Sequence, residues 1–521
     1  MAYIFALLVI ISLPSYSLSR ITNRDAITLK STPLKRWSHL SDKPNNLRTQ
    51  EFIQQLASER RPFIYTDFHG EIDWAVVGSL CGVDDGINEV SNTSGPLHKE
   101  GKEFILDSVR YSDDPNRKTF AIMIPSVPHN SIDTHARFSS VNGVDGSSSI
   151  AVIDPAQTVL NNVSSCDFFH DRSKNRYSTF DLRSSPSSLQ KKAEFWPDFA
   201  INDDLGLEGE YPSPTTTTVP MLWLSSPGVT AQLHYDHSHN LFHQIYGKKT
   251  VLLLPPAMSR FTNNYPSVHQ GRKMSQIDFG KYHSSEREQG LTSHLGENVT
   301  MIEGYEVVLN PGEILYIPPF WAHEISTWDE SAALSLSVVS PSWEESLLGK
   351  AQWTPVPFKG LESKTQRKVG TQMLLVHLLS RVSPLGTPAI FSKFVYESRW
   401  SGLLGKRERR ECFGDDEMDT VERTREGIFN SQHEEYENTA KAIAEVINDE
   451  LLLFGIKMTF MADYVEAISA YAVGVDNVGD FIYDCLDYDA IEIVEAAGDL
   501  HDVLDPLIND GSQDRKLNDE L

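Results

Sequence analysis

The chain has 521 residues, 40% hydrophobic and 23% charged, which excludes wholesale disorder and leaves room for two or three domains. Lys and Arg total 46 against 72 Asp and Glu, a formal net charge of −26. That balance argues against a primary nucleic-acid binder, because phosphate binding draws on clustered basic side chains. Residues 411–521 hold 29 acidic and 6 basic residues while the rest is near balance, so a change of construction is expected near 410.

Residues 1–19 (MAYIFALLVIISLPSYSLS) join an apolar run over 3–13 to Pro14 and the small Ser17 and Ser19, the pattern of a cleaved signal peptide. The run is too short to span a bilayer, which takes about 20 residues, so no transmembrane span is expected. Residues 518–521 (NDEL) resemble the KDEL/HDEL retrieval signal. Together these predict a protein of the endoplasmic reticulum lumen. Glycosylation sequons at Asn92, Asn162 and Asn298 fit that address. Cys81, Cys166, Cys412 and Cys485 are free to form disulfides there, with their pairing open.

Residues 20–50 form a polar lead-in. A helix is expected over 51–61 and a short strand over 62–65. The Ser-, Asn- and Asp-rich stretch 85–195 reads as strands, around 120–124 and 150–153 among others, separated by long loops. Between 219 and 339 the pattern is β: short apolar or alternating runs at 221–224, 250–254, 305–309, 314–317 and 333–339. Pro227-Gly228, Gly247, Pro255-Pro256, Pro311-Gly312 and Pro318-Pro319 punctuate them, as in a sandwich or barrel. Beyond Gln366 the period turns helical, with helices expected over 371–382, 422–454, 461–473 and 478–503. The basic run 406–410 (KRERR) is expected to be an exposed loop in the linker; its match to a furin-type cleavage pattern is the rarer reading.

The chemistry concentrates in two segments. In 232–250, His234 and Asp236 stand in H-x-D spacing, which on a strand points both side chains into one cavity. In 310–323, His323 follows another strand. Two neutral imidazoles and one carboxylate make the facial triad of non-haem iron(II), which leaves coordination positions open for co-substrate and oxygen. The nearby His237, His239 and His243 are odd-numbered and are expected to face away from His234. Phe320 and Trp321 are expected to be cavity walls.

The stretches LHYDHSHNLFHQIYGKKTVLLLPP (233–256) and LNPGEILYIPPFWAHEI (309–325), with SQIDF (275–279) between them, resemble the JmjC-domain, cupin-like hydroxylases, among them the asparaginyl hydroxylase of hypoxia-inducible factor. The resemblance covers roughly 50–345. It implies a double-stranded β-helix (jelly-roll) domain that binds Fe(II) through His234, Asp236 and His323 and uses 2-oxoglutarate and O2. It also implies that Lys249 pairs with the distal carboxylate of 2-oxoglutarate and that Asn240 lies near the co-substrate. Two positions depart from the family: relatives often carry Ser or Thr where this chain has Ala231, with Thr230 one step away as a substitute contact, and some carry Asn about where Val339 falls.

The expected organisation is a signal peptide (1–19), a lead-in (20–50), a mainly β catalytic domain (51–345), a helical extension and linker (346–410), an acidic helical domain (411–517) and the retrieval signal (518–521). The expected activity is 2-oxoglutarate-dependent hydroxylation of a protein substrate in the lumen. The alternatives are a non-catalytic lumenal binding protein on a cupin fold, a small-molecule or glycan hydroxylase, and a JmjC demethylase if the lumenal address is wrong. Relatives often dimerise through C-terminal helices, and the amphipathic patterning permits a homodimer here.

Overall fold

A computed structural model describes residues 28–31, 34–38, 55–66, short strands between 105 and 181, 219–269, 271–276, 301–328, 333–382 and 387–486. Eight strands form its frame: β1 (Val219–Ser225), β2 (Thr230–Tyr235), β3 (His239–Tyr246), β4 (Lys249–Leu254), β5 (Met301–Leu309), β6 (Ile314–Ile317), β7 (Ala322–Thr327) and β8 (Ala333–Ser340). They lie in two sheets, ordered β1-β8-β3-β6 and β2-β7-β4-β5. Apart from the β4–β5 pair, successive strands alternate between sheets. This is the jelly-roll arrangement as two facing sheets, without a closed barrel.

Flanking strands widen both sheets. Phe63–Thr66 and Arg36–Ser38 extend the first beyond β6, and Asn175–Asp181, Val109–Ser112 and Thr158–Leu160 extend it beyond β1. Thr28–Ser31 and Thr119–Phe120 edge the second. The runs expected at 221–224, 250–254, 305–309, 314–317 and 333–339 all lie within strands. Of the expected run at 120–124, Thr119–Phe120 is a strand; 150–153 lies outside the described residues.

Side chains from the two sheets meet in a shared core: Ala231, Val251, Leu253, Leu309 and Ile325 from one, Phe242, Leu315 and Ile317 from the other. The opposite face of the β2-β7-β4-β5 sheet is also covered. There Leu233, Tyr235, Leu252, Leu254 and Ala322 pack under the C-terminal helices. Coverage on both faces explains why β4 (KTVLLL) reads as a continuous apolar run and not an alternation. Each leucine fully buried this way contributes about 1.5–3 kcal/mol.

The helical layer comprises α1 (Trp343–Trp353), α2 (Lys364–Leu379), α3 (Pro388–Val395), a π turn (Tyr396–Trp400), α4 (Ser401–Leu404), α5 (Met418–Ser431), α6 (His433–Ile447), α7 (Phe454–Val473) and α8 (Val478–Cys485). Helix α2 starts earlier than the expected 371 because Ser363 and Gln366 close a capping box around its first turn. The single helix expected over 422–454 is two. Straight, residues 418–447 would run about 45 Å; a bend at Gln432 lets both α5 and α6 pack on α2. Helix α7 starts at Phe454, before the expected 461, and is buried on most sides, which erases an amphipathic stripe. The expected helix at 478–503 is seen as α8, its remainder lying outside the described residues, as does 51–54 of the helix expected over 51–61, of which only residues 55–57 are helical.

The composition change near 410 does not coincide with a break in packing. Residues on both sides, from Leu374 and Trp400 to Ile443 and Phe481, share one core, and Cys412 is disulfide-bonded to Cys485. The basic run 406–410 is a loop as expected, with Lys406, Glu408 and Arg410 exposed, but Arg407 and Arg409 are half-buried. Arg407 forms ion pairs with Asp480 and Asp484, each at 2.7 Å, and lies over the Tyr396 and Tyr483 rings. The neighbouring carboxylates of α8 draw it inward. No helix among the described residues is long and apolar enough to cross a membrane.

Candidate metal centre

His234 and His323 are brought together by the β2–β7 ladder, where they are direct antiparallel partners. The pairing is not regular. Ala231 stands opposite Ile325 and His234 opposite His323, so Gln232 and Leu233 together face Glu324 alone. This β-bulge resets the alternation. Upstream of it Ala231 faces the space between the sheets; downstream His234 does so, while Leu233 and Tyr235 turn to the helices.

The two imidazoles lie 4.0 Å apart between ring centres, tilted by 54°. Each Nδ1 is 3.0 Å from the backbone carbonyl two residues earlier, Gln232 for His234 and Trp321 for His323. With Nδ1–H donating to that oxygen, Nε2 keeps its lone pair for a ligand role, and the ring is fixed in orientation. Asp236 follows directly after β2, its Oδ2 3.8 Å from His234 Nε2 and 3.9 Å from His323 Nε2. One donor atom from each of the three residues lies within 4.8 Å of the others. Among the described residues this is the sole such group of His, Cys, Asp and Glu.

The electrostatics prepare the donors. Burial, with His323 adding to it, pushes the His234 imidazole down to about 3, and burial also lowers His323, so both are neutral at physiological pH. Burial works to raise the Asp236 carboxyl, but His234, His323 and Lys273 outweigh it and hold it below its ordinary value. Two neutral imidazoles and one carboxylate are the donor set that suits iron(II).

Asn240 and Lys249 face the same inter-sheet space from opposite sides. Asn240 shares the inner face of β3 with Phe242, and its Oδ1 accepts a hydrogen bond from Ser337 Oγ at 2.7 Å. Lys249 shares the inner face of β4 with Val251 and Leu253, and its Nζ lies 5.2 Å from the centre of the Phe242 ring. It is 2% exposed, and burial lowers its ammonium to about 7. Among the described residues it has no carboxylate partner. Leu253 stands opposite His323, so the Lys249 backbone lies about 13 Å along the strand from the metal donors.

Thr230 is not brought to this space. It precedes the inward Ala231, pairs with Ser326 across the ladder, and its hydroxyl lies 2.9 Å from Ser326 Oγ on the other face. None of His237, His239 and His243 belongs to the metal group. His237 stacks on Phe320 at 4.7 Å, and His239 meets the Tyr316 hydroxyl at 2.8 Å. Trp321 lines the inter-sheet core, whereas Phe320 packs toward the helices.

Three features escape sequence reasoning. The carbonyls that orient the histidines have no sequence signal, since every residue carries one. Lys273 acts on Asp236 from a separate segment, whose Met274 bridges to His234. Phe320 holds a positive φ of 63° and donates its N–H to the Asp236 carbonyl at 2.7 Å. The preceding Pro318-Pro319 hints at that turn.

The profile of the Cupin-like domain family matches residues 49–339, more than half of the chain. The chain belongs to the Cupin-like domain family. Within it, this cupin-like chain is similar to JmjC-domain proteins. It is 30% identical over 116 residues to Jumonji C domain-containing protein 5 of Drosophila melanogaster, covering 22% of this chain and 26% of that protein. It is 34% identical over 116 residues to JmjC domain-containing protein D of Dictyostelium discoideum, covering 22% and 23%. It is 26% identical over 113 residues to lysine-specific demethylase JMJ31 of Arabidopsis thaliana, covering 22% and 19%. The chain thus spans about a quarter or less of the length of these relatives. JmjC proteins are typically Fe(II)- and 2-oxoglutarate-dependent, and the His-Asp-His group of this cupin-like chain fits that metal.

Proposed function

We propose that this chain is an Fe(II)- and 2-oxoglutarate-dependent oxygenase that hydroxylates side chains of protein clients in the endoplasmic reticulum lumen. The observation that carries the reading is the placement of a buried lysine, without a carboxylate partner among the described residues, on the same inner face as the two-histidine, one-carboxylate group. Iron(II) bound there, with 2-oxoglutarate and O2, would supply the oxidation that puts one oxygen atom into a client C–H bond and the other into succinate, with loss of CO2.

The chain's own residues divide the remaining work. His234 and His323 hold the metal through Nε2, locked by their Nδ1 bonds to backbone carbonyls. Asp236 adds the charge that favours a dication. Lys249 supplies a cationic donor for a carboxylate placed beyond the metal, where low polarity strengthens the pairing. Asn240, fixed by Ser337, offers its amide N–H groups to the same co-substrate. Phe242 and Trp321 keep water from the inter-sheet space.

The lumenal address draws on the apolar stretch 3–13 and on NDEL at 518–521, and the Cys412–Cys485 disulfide supports it, since such bonds persist in oxidising compartments. The net charge of −26 favours protein over nucleic acid as client. The test is incubation of a lumenal protein extract with the purified chain, Fe(II), ascorbate and 2-oxoglutarate, followed by peptide mass spectrometry. Peptides that gain one oxygen atom with the wild type and not with His323→Ala are expected. Succinate production without any such peptide would contradict the protein-client reading.

A further inference from the structure

One side chain of the metal-ligand segment enters a buried polar network of the helical layer. Tyr235 immediately precedes Asp236 and turns its ring away from the metal, toward α7. Its hydroxyl donates to Asp463 Oδ2 at 3.1 Å. Asp463 Oδ1 accepts from Arg399 at 2.6 Å, and Arg399 donates to Glu466 at 3.0 Å. Arg399 is 5% exposed and Glu466 fully buried, so this is a desolvated ion network. Glu466 also accepts from the Trp400 indole at 3.0 Å and from the Ser267 backbone N–H at 2.6 Å.

The same network grips the segment beside the ligand strand. Gln276 donates to the Arg399 carbonyl at 2.6 Å, and Ser267 donates its hydroxyl to the Asp463 carbonyl at 3.1 Å. That segment is in turn laddered onto β2: the Ser275 N–H donates to the Leu233 carbonyl at 2.8 Å, and the Tyr235 N–H to the Lys273 carbonyl at 3.2 Å. Asp236 needs such support more than the histidines do. It lies past the strand end with its side chain 30% exposed, whereas each histidine ring is tied at Nδ1 to a carbonyl of its own strand.

We propose that Asp463, acting through the Tyr235 hydroxyl, is a positioning residue that sets where the Asp236 carboxylate meets the metal, so that the C-terminal helices are part of the metal centre. This rests on the oxygenase reading for its biological use, but its content is the geometry of metal binding. Outer-shell partners of metal ligands are typically worth about 10–100-fold in affinity.

The experiment is a Co(II) titration of the full chain, followed by visible absorption, for wild type, His234→Ala, Tyr235→Phe and Trp400→Phe. Trp400→Phe removes a hydrogen bond from the same buried network at the end remote from Tyr235, so it loses stability without touching the ligand strand. The expected result is Co(II) affinity weakened roughly tenfold or more, with an altered band, in Tyr235→Phe, and unchanged affinity in Trp400→Phe despite a lower melting temperature. Equal affinity in wild type and Tyr235→Phe, with uptake abolished in His234→Ala, would overturn the positioning role and leave the metal centre standing. Affinity that falls in both network variants in step with melting temperature would also overturn it. A wild-type chain that takes up no Co(II) would overturn both this proposal and the oxygenase reading.

Discussion

His234 and His323 are cross-strand partners whose rings stand 4.0 Å apart, and each is tied at Nδ1 to a carbonyl of its own strand. The Nε2 atoms converge on the Asp236 carboxylate, and burial keeps both rings uncharged.

Metal uptake should be insensitive to mild acid. An ordinary histidine titrates near 6.5, so below that pH a proton competes with the metal, costing up to about tenfold per pH unit for each ring. Here the folded-state value of His234 is depressed to about 3. Its proton is already absent across the range from about 6.5 down toward 3, so no proton need be displaced. Co(II) titrations at about pH 7.5, 6.5 and 5.5 should give nearly the same affinity, at pH values where the fold is intact. A tenfold loss per unit over that span would contradict the neutral-imidazole account.

Co-substrate binding should take up a proton at Lys249. Burial lowers its ammonium from the ordinary 10.5 to about 7, so near neutral pH the free site is a mixture of charged and neutral amine. A bound carboxylate favours the charged form. Affinity for 2-oxoglutarate should fall as pH rises above about 7, the direction in which the free amine loses its proton. Calorimetry of the metal-loaded protein in buffers of different ionisation enthalpy should register the uptake, and Lys249→Met should abolish it. That variant should bind 2-oxoglutarate about 10–100-fold more weakly, given about 1.5–3 kcal/mol for a hydrogen bond to a charged group. Wild-type affinity in Lys249→Met would remove Lys249 from the co-substrate site.

The Cys412–Cys485 disulfide closes a long loop, with 73 residues of separation, around α5, α6 and α7. Loop-closure entropy assigns such a cross-link about 4 kcal/mol. Replacing both cysteines by serine should lower the denaturant midpoint accordingly, and reductant should shift the wild type downward by more than it shifts the variant. A wild-type midpoint indifferent to reductant would mean that the bond is not formed in solution.

Much of this was legible in the residues, for identifiable reasons. The β-rich region between 219 and 340 announced itself because Pro and Gly turns interrupt short apolar runs, and the triad because H-x-D followed by a later histidine is a composite pattern. Lys249 and Asn240 came only through family resemblance; spacing alone does not say that β3 and β4 face each other. The bulge at Gln232 and Leu233 could not be read, since its signature is a mismatch with Glu324 some ninety residues on. It explains why Thr230 does not substitute for the residue expected at Ala231: the two lie on opposite faces. The helical layer was harder still. Helix α7 is buried on most sides, so it lacks the stripe that periodicity detects. The acidic composition beyond 410 suggested a separate domain, whereas Arg399 and Arg407 use Asp463, Glu466, Asp480 and Asp484 as internal partners.

The most direct measurement is an anaerobic titration of the purified apo-protein with Fe(II) and then 2-oxoglutarate, following the visible charge-transfer absorption of the chelate. The oxygenase reading predicts a saturable band that is absent in His234→Ala and weakened in Lys249→Met. A folded wild-type protein that develops no band would contradict it and leave a cupin fold that binds without catalysing.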